Sequence, residues 1–286
     1  MNVRKVIPCS YCKGVVQAIN IAKKAKDNYP NKNIYILGML VHNDEVVKEL
    51  SDYGIITLEG EDKKELIGSI DDGVVIFSAH GTSDKLINYA KDKGLITIDA
   101  ACEDVNKNRD LVKHYLDKDY EVIYFGKANH PESMAVTSLS NRIHLITNLD
   151  DLNKLNINND KVFVTNQTTM SIFETNKIFD EIRKINNNWL IQKEICNATT
   201  LRQKAIMDLK DCDLLYVVGD LKSNNTNKLK EIALLNKEIK KVYLINSIDQ
   251  INLTDLNVSN IYVTAGTSTP PYQIDKIINY LNNIKL

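Results

Sequence analysis

The stretch ITIDAACEDVNKNRDLVKHYLDKDYEVIYFG, residues 96–126, contains the pattern on which the fold prediction depends. A short run rich in β-branched residues leads through Cys102 into a helical run, and a second apolar run follows. Strand-like and helix-like runs alternate in this way along the whole chain. Because this alternation is typical of parallel sheets covered by helices, the sequence predicts an α/β protein.

Three cysteines occupy the same place in this pattern, each at the junction between a strand-like run and a helical run. They are Cys12, Cys102 and Cys196, and the gap from each to the next is close to a third of the chain. Such repetition predicts three similar αβ units with parallel sheets, arranged as a pseudo-threefold trefoil. The predicted bounds of the units are 1–98, 99–194 and 195–286.

Two further strand-to-helix junctions with polar residues recur in each third. Ligands of parallel α/β sheets bind at the carboxyl ends of strands, and helix N-termini offer free N–H groups to anions. We therefore expect all nine junctions to face one central cavity suited to an anion, although any single Ser, Thr or Asn can also serve as a helix cap. The polar side chains concerned are His42, His80, His130, Glu132, Thr168, Ser223, Asn224, Asn225 and Ser268.

The cysteines suggest a metal centre. Five cysteines, an odd and sparse set, argue against a disulfide framework. We interpret Cys9 and Cys212 as small buried residues. The three repeated cysteines suit either zinc with one added His, or a cubic iron–sulfur cluster with one iron left open. The spacing of these three cysteines does not distinguish a zinc site from an iron–sulfur cluster.

Composition restricts the class of protein. The 286 residues are 43% hydrophobic and 26% charged, as in ordinary globular proteins, and the net charge of −1 argues against broad nucleic-acid binding. We expect no membrane span, because apolar runs of about 18 residues are missing. The N-terminal sequence does not resemble a signal peptide, so we expect a cytoplasmic protein.

The junction motifs resemble those of the 4-hydroxy-3-methylbut-2-enyl diphosphate reductase family, the last enzymes of the methylerythritol phosphate route to isoprenoids. Nine short motifs occur in the family's order and cover nearly the whole chain. They are CKGV (12–15), VHNDEVV (41–47), SAHG (78–81), DAAC (99–102), NHPE (129–132), QTT (167–169), CNATTLRQ (196–203), SNN (223–225) and TAGTS (264–268).

This resemblance implies an oxidoreductase with three domains around a [4Fe–4S] cluster. The cluster would be held by Cys12, Cys102 and Cys196, with one iron open to the substrate's hydroxyl group. Two electrons and two protons would then remove that hydroxyl as water, giving isopentenyl and dimethylallyl diphosphate. The chain has no recognisable flavin or ferredoxin-like segment, so the electrons would come from an external donor such as flavodoxin or ferredoxin.

The resemblance also implies roles for the polar junction residues. Glu132 would be the internal proton source, and His130 and Thr168 would hold and help to protonate the substrate. The side chains that would bind the diphosphate are His42, His80, Ser223, Asn224, Asn225 and Ser268. His114 and His144 match no motif, and we interpret them as surface or packing residues.

The immediate neighbours of the matched positions depart from the family pattern. Glu103 replaces a proline after the second cysteine, and its charge would be unfavourable beside an anionic cluster unless the side chain points away. Four other departures are Lys13, Lys127, Asn197 and Asn224. These changes leave two alternatives open: a diverged relative with the same cluster and another small substrate, and a non-catalytic sensor that binds a cluster or zinc.

Overall fold

The computed structural model describes residues 1–157 and 159–284. In these ranges twelve strands form three four-stranded sheets, and every strand pairing is parallel. The strands are β1 (Asn2–Lys5), β2 (Ile34–Leu37), β3 (Ile56–Leu58), β4 (Val74–Phe77), β5 (Ile96–Asp99), β6 (Glu121–Phe125), β7 (Ile143–Ile146), β8 (Val162–Asn166), β9 (Leu190–Ile191), β10 (Cys212–Val218), β11 (Ile239–Ile245) and β12 (Asn260–Ala265). The predicted α/β class with three similar parallel sheets is confirmed.

Helices separate nearly all consecutive strands, as the alternating sequence pattern requires. They are α1 (Lys13–Asn28), α2 (Asp44–Asp52), α3 (Lys63–Gly68), α4 (Asp84–Asp92), α5 (Glu103–Leu116), α6 (Pro131–Thr137), α7 (Leu149–Asn153), α8 (Ile172–Ile185), α9 (Asn197–Met207), α10 (Asn224–Leu235) and α11 (Pro271–Asn283). Two short 3₁₀ helices, Ile248–Gln250 and Leu253–Asp255, follow β11. No helix in the described part of the chain is long and apolar enough to cross a membrane.

The three sheets share one strand order. Two of them read β3-β2-β4-β5 and β7-β6-β8-β9, and the third reads β11-β10-β12-β1 in the same direction. In each sheet the strand at one edge leads to a repeated cysteine: β5 to Cys102, β9 to Cys196 and β1 to Cys12. The repetition seen in the sequence is therefore a repetition of topology.

The predicted bounds 1–98, 99–194 and 195–286 stay a prediction, and strand β1 departs from them. It pairs in parallel with β12, from Asn2 opposite Asn260 to Lys5 opposite Val263. The first strand of the chain thus belongs to the sheet of the last third. It pairs with the side of β12 that does not face β10. In each sheet the strand that leads to the repeated cysteine lies at the same edge.

Strand burial explains why the central strands are continuously apolar. Alternate residues of β10 pack on opposite sides of the sheet: Leu214 and Tyr216 lie in one apolar cluster, and Leu215 and Val217 in another. Strand β6 behaves in the same way. Central strands of parallel sheets are covered by helices on both faces, so every position is buried. Burying each such side chain contributes roughly 1.5–3 kcal/mol.

The chain forms two compact units. Unit 1 consists of Met1–Val15, His42–Val46 and the chain from Cys196 onward, and it contains the sheet of β1, β10, β11 and β12. Unit 2 consists of Val16–Val41 and Val47–Ile195, and it contains the other two sheets. Helix α5 connects the two sheets of unit 2. It follows β5 of one sheet, and its Asn108 donates to the carbonyl of Asn166 at the end of β8 in the other.

Candidate active site

All nine predicted junctions lie between the carboxyl end of a strand and the start of a helix. Unit 1 contains those of Cys12, His42, Cys196, Ser223 and Ser268, and unit 2 contains those of His80, Cys102, His130 and Thr168. The carboxyl ends of parallel strands, where α/β proteins bind ligands, therefore carry every residue selected from the sequence.

In unit 1, two candidate ligand cysteines lie at helix N-termini. Cys196 is the N-cap residue of α9, with extended backbone angles, and its thiol donates to Thr199 Oγ1 at 3.1 Å. Cys12 immediately precedes α1, and its amide donates to the carbonyl of Thr267 at 3.2 Å. Neither cysteine forms a disulfide, and both are partly exposed. Thiolates at helix N-termini are stabilised by the helix dipole, so both residues suit a metal.

The guanidinium of Arg202 lies close to both of these cysteines. It donates to the carbonyl of Ser10 at 2.5 Å and to that of Ala198 at 2.9 Å. Burial lowers the pKa of Arg202, and the nearby thiols of Cys12 and Cys196 counteract that effect. One buried cation thus lies within electrostatic reach of both candidate ligands of this unit.

The polar residues of unit 1 are joined by hydrogen bonds that connect four junctions. Asn225 Nδ2 donates to Thr199 Oγ1 at 3.1 Å, and Asn225 Oδ1 accepts from the amide of Thr267 at 3.1 Å. Ser268 Oγ donates to the carbonyl of His42 at 2.9 Å. These bonds hold the starts of α9, α10 and α11 in one arrangement. Neutral hydroxyl and amide groups at helix starts can bind an anion without excess positive charge.

A close approach between two junctions of unit 1 requires glycine. A Cβ added at Gly266 would lie 2.0 Å from Thr226 Oγ1, on the first turn of α10. The hydroxyl of Ser223, the N-cap residue of α10, accepts from the amide of Thr226 at 3.3 Å. Because contacts under 3.0 Å do not occur for real Cβ atoms, any side chain at position 266 would displace the capped helix start.

In unit 2, Cys102 has nearly the same backbone setting as Cys196. It is the N-cap residue of α5, it is partly exposed, and its amide donates to the carbonyl of Ala79 at 3.0 Å. The first turn of α5 contains Glu103 and Asp104, both exposed. Acidic groups in a first helical turn are favoured by the helix dipole, so Glu103 is compatible with the start of α5.

Glu132 is the buried acid of unit 2. Its side chain is 1% exposed and accepts three hydrogen bonds: from the Thr168 amide at 2.8 Å, from Thr168 Oγ1 at 3.0 Å and from the Tyr124 hydroxyl at 3.3 Å. Burial raises the pKa of Glu132 to about 7, although these three donors oppose the rise. A carboxyl group with a pKa near neutrality suits a general acid at physiological pH.

His130 adjoins this acid. It is the N-cap residue of α6, and its Nδ1 accepts from the amide of Glu132 at 3.2 Å. An accepting Nδ1 assigns the ring proton of the neutral imidazole to Nε2. The ring of His80 meets that of His130 edge to face, with centroids 5.4 Å apart. The preceding residue, Asn129, has a φ of 60°, which sharpens the turn between β6 and α6.

Of the cysteines and histidines interpreted as structural, only Cys9 lies within one of these junctions, between β1 and α1. Cys212 is fully buried in β10, and Cys9 packs against the apolar core of its sheet. Burial raises the pKa of the Cys9 thiol to about 11. His144 is 2.6 Å from a Glu121 oxygen, and His114 is exposed on α5. The predicted packing or surface roles of these residues agree with their environments.

Two residues with contacts to the candidate site were not identified from the sequence. Tyr124 lies on β6 among buried apolar residues. The sequence signal for a polar partner was its hydroxyl group in a strand whose other central residues are apolar. Arg202 is part of the matched CNATTLRQ motif, but the motif alone gives it no role. The sequence signal for a role near the site was that Arg202 lies six residues after Cys196 in the same helical run.

A family model described as LytB protein matches residues 3–282. The chain belongs to the LytB family. This LytB-family chain is 42% identical over 287 residues to the 4-hydroxy-3-methylbut-2-enyl diphosphate reductase of Geobacillus sp. (strain WCH70), covering 98% of the chain and 90% of that relative. It is 44% identical to the reductase of the same name from Bacillus cereus (strain AH820), with the same coverage.

A solved structure agrees with these sequence matches. The E-1-hydroxy-2-methyl-but-2-enyl-4-diphosphate reductase from Plasmodium falciparum aligns with a TM-score of 0.91 and 32% identity, over 98% of this chain and 88% of that one. The LytB-family chain thus has the fold of this reductase throughout.

Proposed function

We propose that this LytB-family chain reduces 4-hydroxy-3-methylbut-2-enyl diphosphate, removing its hydroxyl group as water and giving isopentenyl and dimethylallyl diphosphate. The near-full-length similarity to reductases of that name supports the substrate. The observation that carries the chemistry is the buried carboxyl of Glu132, whose pKa is raised to about 7 beside Thr168 and His130. An acid of this kind is what loss of a hydroxyl group as water requires.

The cofactor of this proposal is an iron–sulfur cluster, specifically [4Fe–4S] with three cysteine ligands and one open iron site. Cys12, Cys102 and Cys196 would hold it. Their donor chemistry fits, because partly exposed cysteines at helix N-termini that form no disulfide provide soft sulfur ligands for iron. When bound, such a cluster supplies electrons and a Lewis-acidic iron.

The diphosphate group would be bound by neutral donors at helix starts. Ser223, Asn224 and Asn225 are buried at the start of α10, Ser268 is buried in the loop that leads to α11, and His42 belongs to the same unit. His80 would contribute from unit 2. The backbone N–H groups of these helix starts favour an anion for the same reason.

Proton delivery would begin at Glu132. Its Oε2 lies 3.0 Å from the Thr168 hydroxyl, which can pass a proton outward by accepting one from the acid as it donates its own. His130, whose Nε2 carries a proton, provides a second donor at the same junction. The reaction consumes two electrons, which an external donor such as flavodoxin or ferredoxin would provide.

The proposal is tested by anaerobic purification, followed by iron and sulfide analysis, an absorption spectrum and an assay with the diphosphate substrate and a chemical reductant. About four irons for each chain and conversion to the two isomeric products would support it. A full cluster without turnover would indicate a diverged relative that acts on another substrate. A colourless zinc protein would contradict the reductase and indicate a structural metal site.

A further inference from the structure

Arg202 is a buried cation without an acidic partner. It lies on the second turn of α9, is 4% exposed, and forms no ion pair with any carboxylate among residues 1–157 and 159–284. Its Nε is also buried, with no hydrogen-bond partner in the described structure. Burying an unpaired guanidinium is costly, so an anion that compensates it is expected nearby.

The side chains within electrostatic reach of this guanidinium are those of Cys12, Cys9 and Cys196. Burial raises the pKa of the Cys9 thiol to about 11, so Cys9 stays neutral and the compensating negative charge would come from Cys12 and Cys196 as cluster ligands. All of these residues belong to unit 1, so their arrangement is internal to one compact part of the molecule. Two of the three are candidate cluster ligands.

The hydrogen bonds of Arg202 join the two ligand segments. One terminal nitrogen donates to the carbonyl of Ser10, two residues before Cys12, and the other donates to the carbonyl of Ala198, two residues after Cys196. Ser10 has a φ of 85°, an unusual left-handed conformation for a residue with a side chain. A planar guanidinium can bind two carbonyls at once, whereas a lysine ammonium acts as a single point charge.

A second buried arginine provides an internal comparison. Arg109 lies on α5, seven residues after Cys102, and is 6% exposed. Its terminal nitrogen is paired with Asp84, which Lys113 also contacts. Because its charge is already balanced, Arg109 has little electrostatic effect left for a cluster, and it serves as a matched control for Arg202.

We propose that Arg202 is a positioning residue for the cluster: it fixes the segment before Cys12 against the first turn of α9, and its charge raises the reduction potential. This inference rests on the proposed function, since it requires a cluster at these cysteines. Reduction adds negative charge to an already anionic group, and a nearby buried cation stabilises the reduced form. Loss of the cation therefore lowers the midpoint potential.

The test compares wild-type protein with R202Q, R202K and the control R109Q, all as full chains loaded under anaerobic conditions. Two quantities are measured: the midpoint potential, by a redox titration followed by electron paramagnetic resonance, and the rate of iron loss to a chelator. We expect R202Q to have a lower potential and to lose iron about tenfold faster, as for other outer-sphere partners of metal ligands. R202K should keep a potential near that of wild type but lose iron faster, and R109Q should match wild type in both.

Distinct outcomes overturn distinct claims. If wild-type protein carries no cluster, the proposed function fails before Arg202 is tested. If wild type carries a cluster and R202Q matches it in potential and iron retention, the role of Arg202 is rejected while the proposed function stands. If circular dichroism shows that R202Q is unfolded, R202K decides, because iron retention equal to that of wild type would reject the positioning role.

Discussion

Helices α5 and α9 begin in the same way but differ in charge. Each has a candidate ligand cysteine as its N-cap residue, with φ and ψ of −62° and 144° at Cys102, and of −63° and 149° at Cys196. The first turn of α5 is acidic, and its buried Arg109 is neutralised by Asp84. The first turn of α9 has no acidic residue, and its buried Arg202 pairs with no carboxylate in the described part of the chain but lies near Cys12 and Cys196. The repeated topology thus fixes the backbone at the cysteine, while the charge around it varies independently.

The two units that contain these helices also differ in their polar chemistry. Unit 2, with α5, contains the carboxyl of Glu132 and the paired rings of His80 and His130. Unit 1, with α9, contains neutral donors such as Asn225 and Ser268. On the proposed function, Glu132 and His130 of unit 2 would supply protons, the neutral donors of unit 1 would bind the anion together with His80, and Arg202 would supply a positive charge.

The largest expected effect tests the feature that the two helices share. If both N-cap cysteines are ligands, C102S and C196S should each abolish cluster loading, and C12S should do the same, because three thiolates are needed to hold the cluster. Iron and sulfide content of anaerobically purified protein measures this. C9S is the matched control, only three positions from Cys12, and it should keep a full cluster. A C102S protein with wild-type iron content would remove Cys102 from the ligand set.

The next effect tests the assignment of proton chemistry to unit 2. E132Q should keep its cluster and reduce kcat by about 10²–10⁴-fold, because an amide cannot serve as the acid. Steady-state kinetics on variants of equal iron content measures this. The exposed Glu181, paired with Lys184 on α8, provides the control E181Q, which should match wild type. Wild-type turnover in E132Q would reject Glu132 as proton source.

A smaller effect tests the assignment of anion binding to unit 1. S268A removes the hydroxyl that donates to the carbonyl of His42. On the proposed function the variant also loses one hydrogen bond to the diphosphate, so we expect KM to rise about tenfold with little change in kcat. A tenfold change corresponds to about 1.4 kcal/mol, the size of one hydrogen bond. S247A is the control, since that hydroxyl caps no helix. A fall in kcat with unchanged KM would instead place Ser268 in the chemical step.

The smallest effect concerns the tuning of the acid. Tyr124 donates to Glu132, which stabilises the ionised carboxylate and lowers its pKa. Y124F should therefore raise the pKa of Glu132. Because the acid works in its protonated form, the decline of kcat above neutral pH should move upward, by up to about one pH unit.

The pH–rate profile of Y124F, with Y115F as control, measures this shift. The other charged or titratable groups near Glu132 are His130 and Asp104, and neither variant changes them. An alkaline limb that stays in place, or moves to lower pH, would show that Tyr124 does not tune the acid.

Much of this organisation could be predicted from the sequence. Alternating apolar and amphipathic runs predict parallel α/β sheets, and the repeated placement of Cys12, Cys102 and Cys196 predicts junctions between strands and helices. Both are local properties: a buried strand requires consecutive apolar residues, and a helix start favours particular caps. The carboxyl ends of the strands were therefore identified correctly.

The remainder depends on contacts between residues that are distant in sequence. Strand β1, with sequence NVRK, does not indicate which edge it pairs with, and its partner is β12. The bond from Tyr124 to Glu132 requires knowing which face of β6 meets α6. Whether a buried arginine finds a carboxylate, as Arg109 does, or only thiols, as Arg202 does, depends on the packing of neighbouring helices. Periodicity alone contains none of this information.

The pairing of β1 with β12 has a consequence for biosynthesis. On the ribosome the segment with Cys12 emerges well before the strand against which β1 pairs, Asn260–Ala265. Most of unit 2 lies between them in the chain and can fold first, since domains fold as units during synthesis. Unit 1 can be completed only after Asn260–Ala265 has been made, so on the proposed function iron delivery to Cys12 and Cys196 would follow the folding of unit 2.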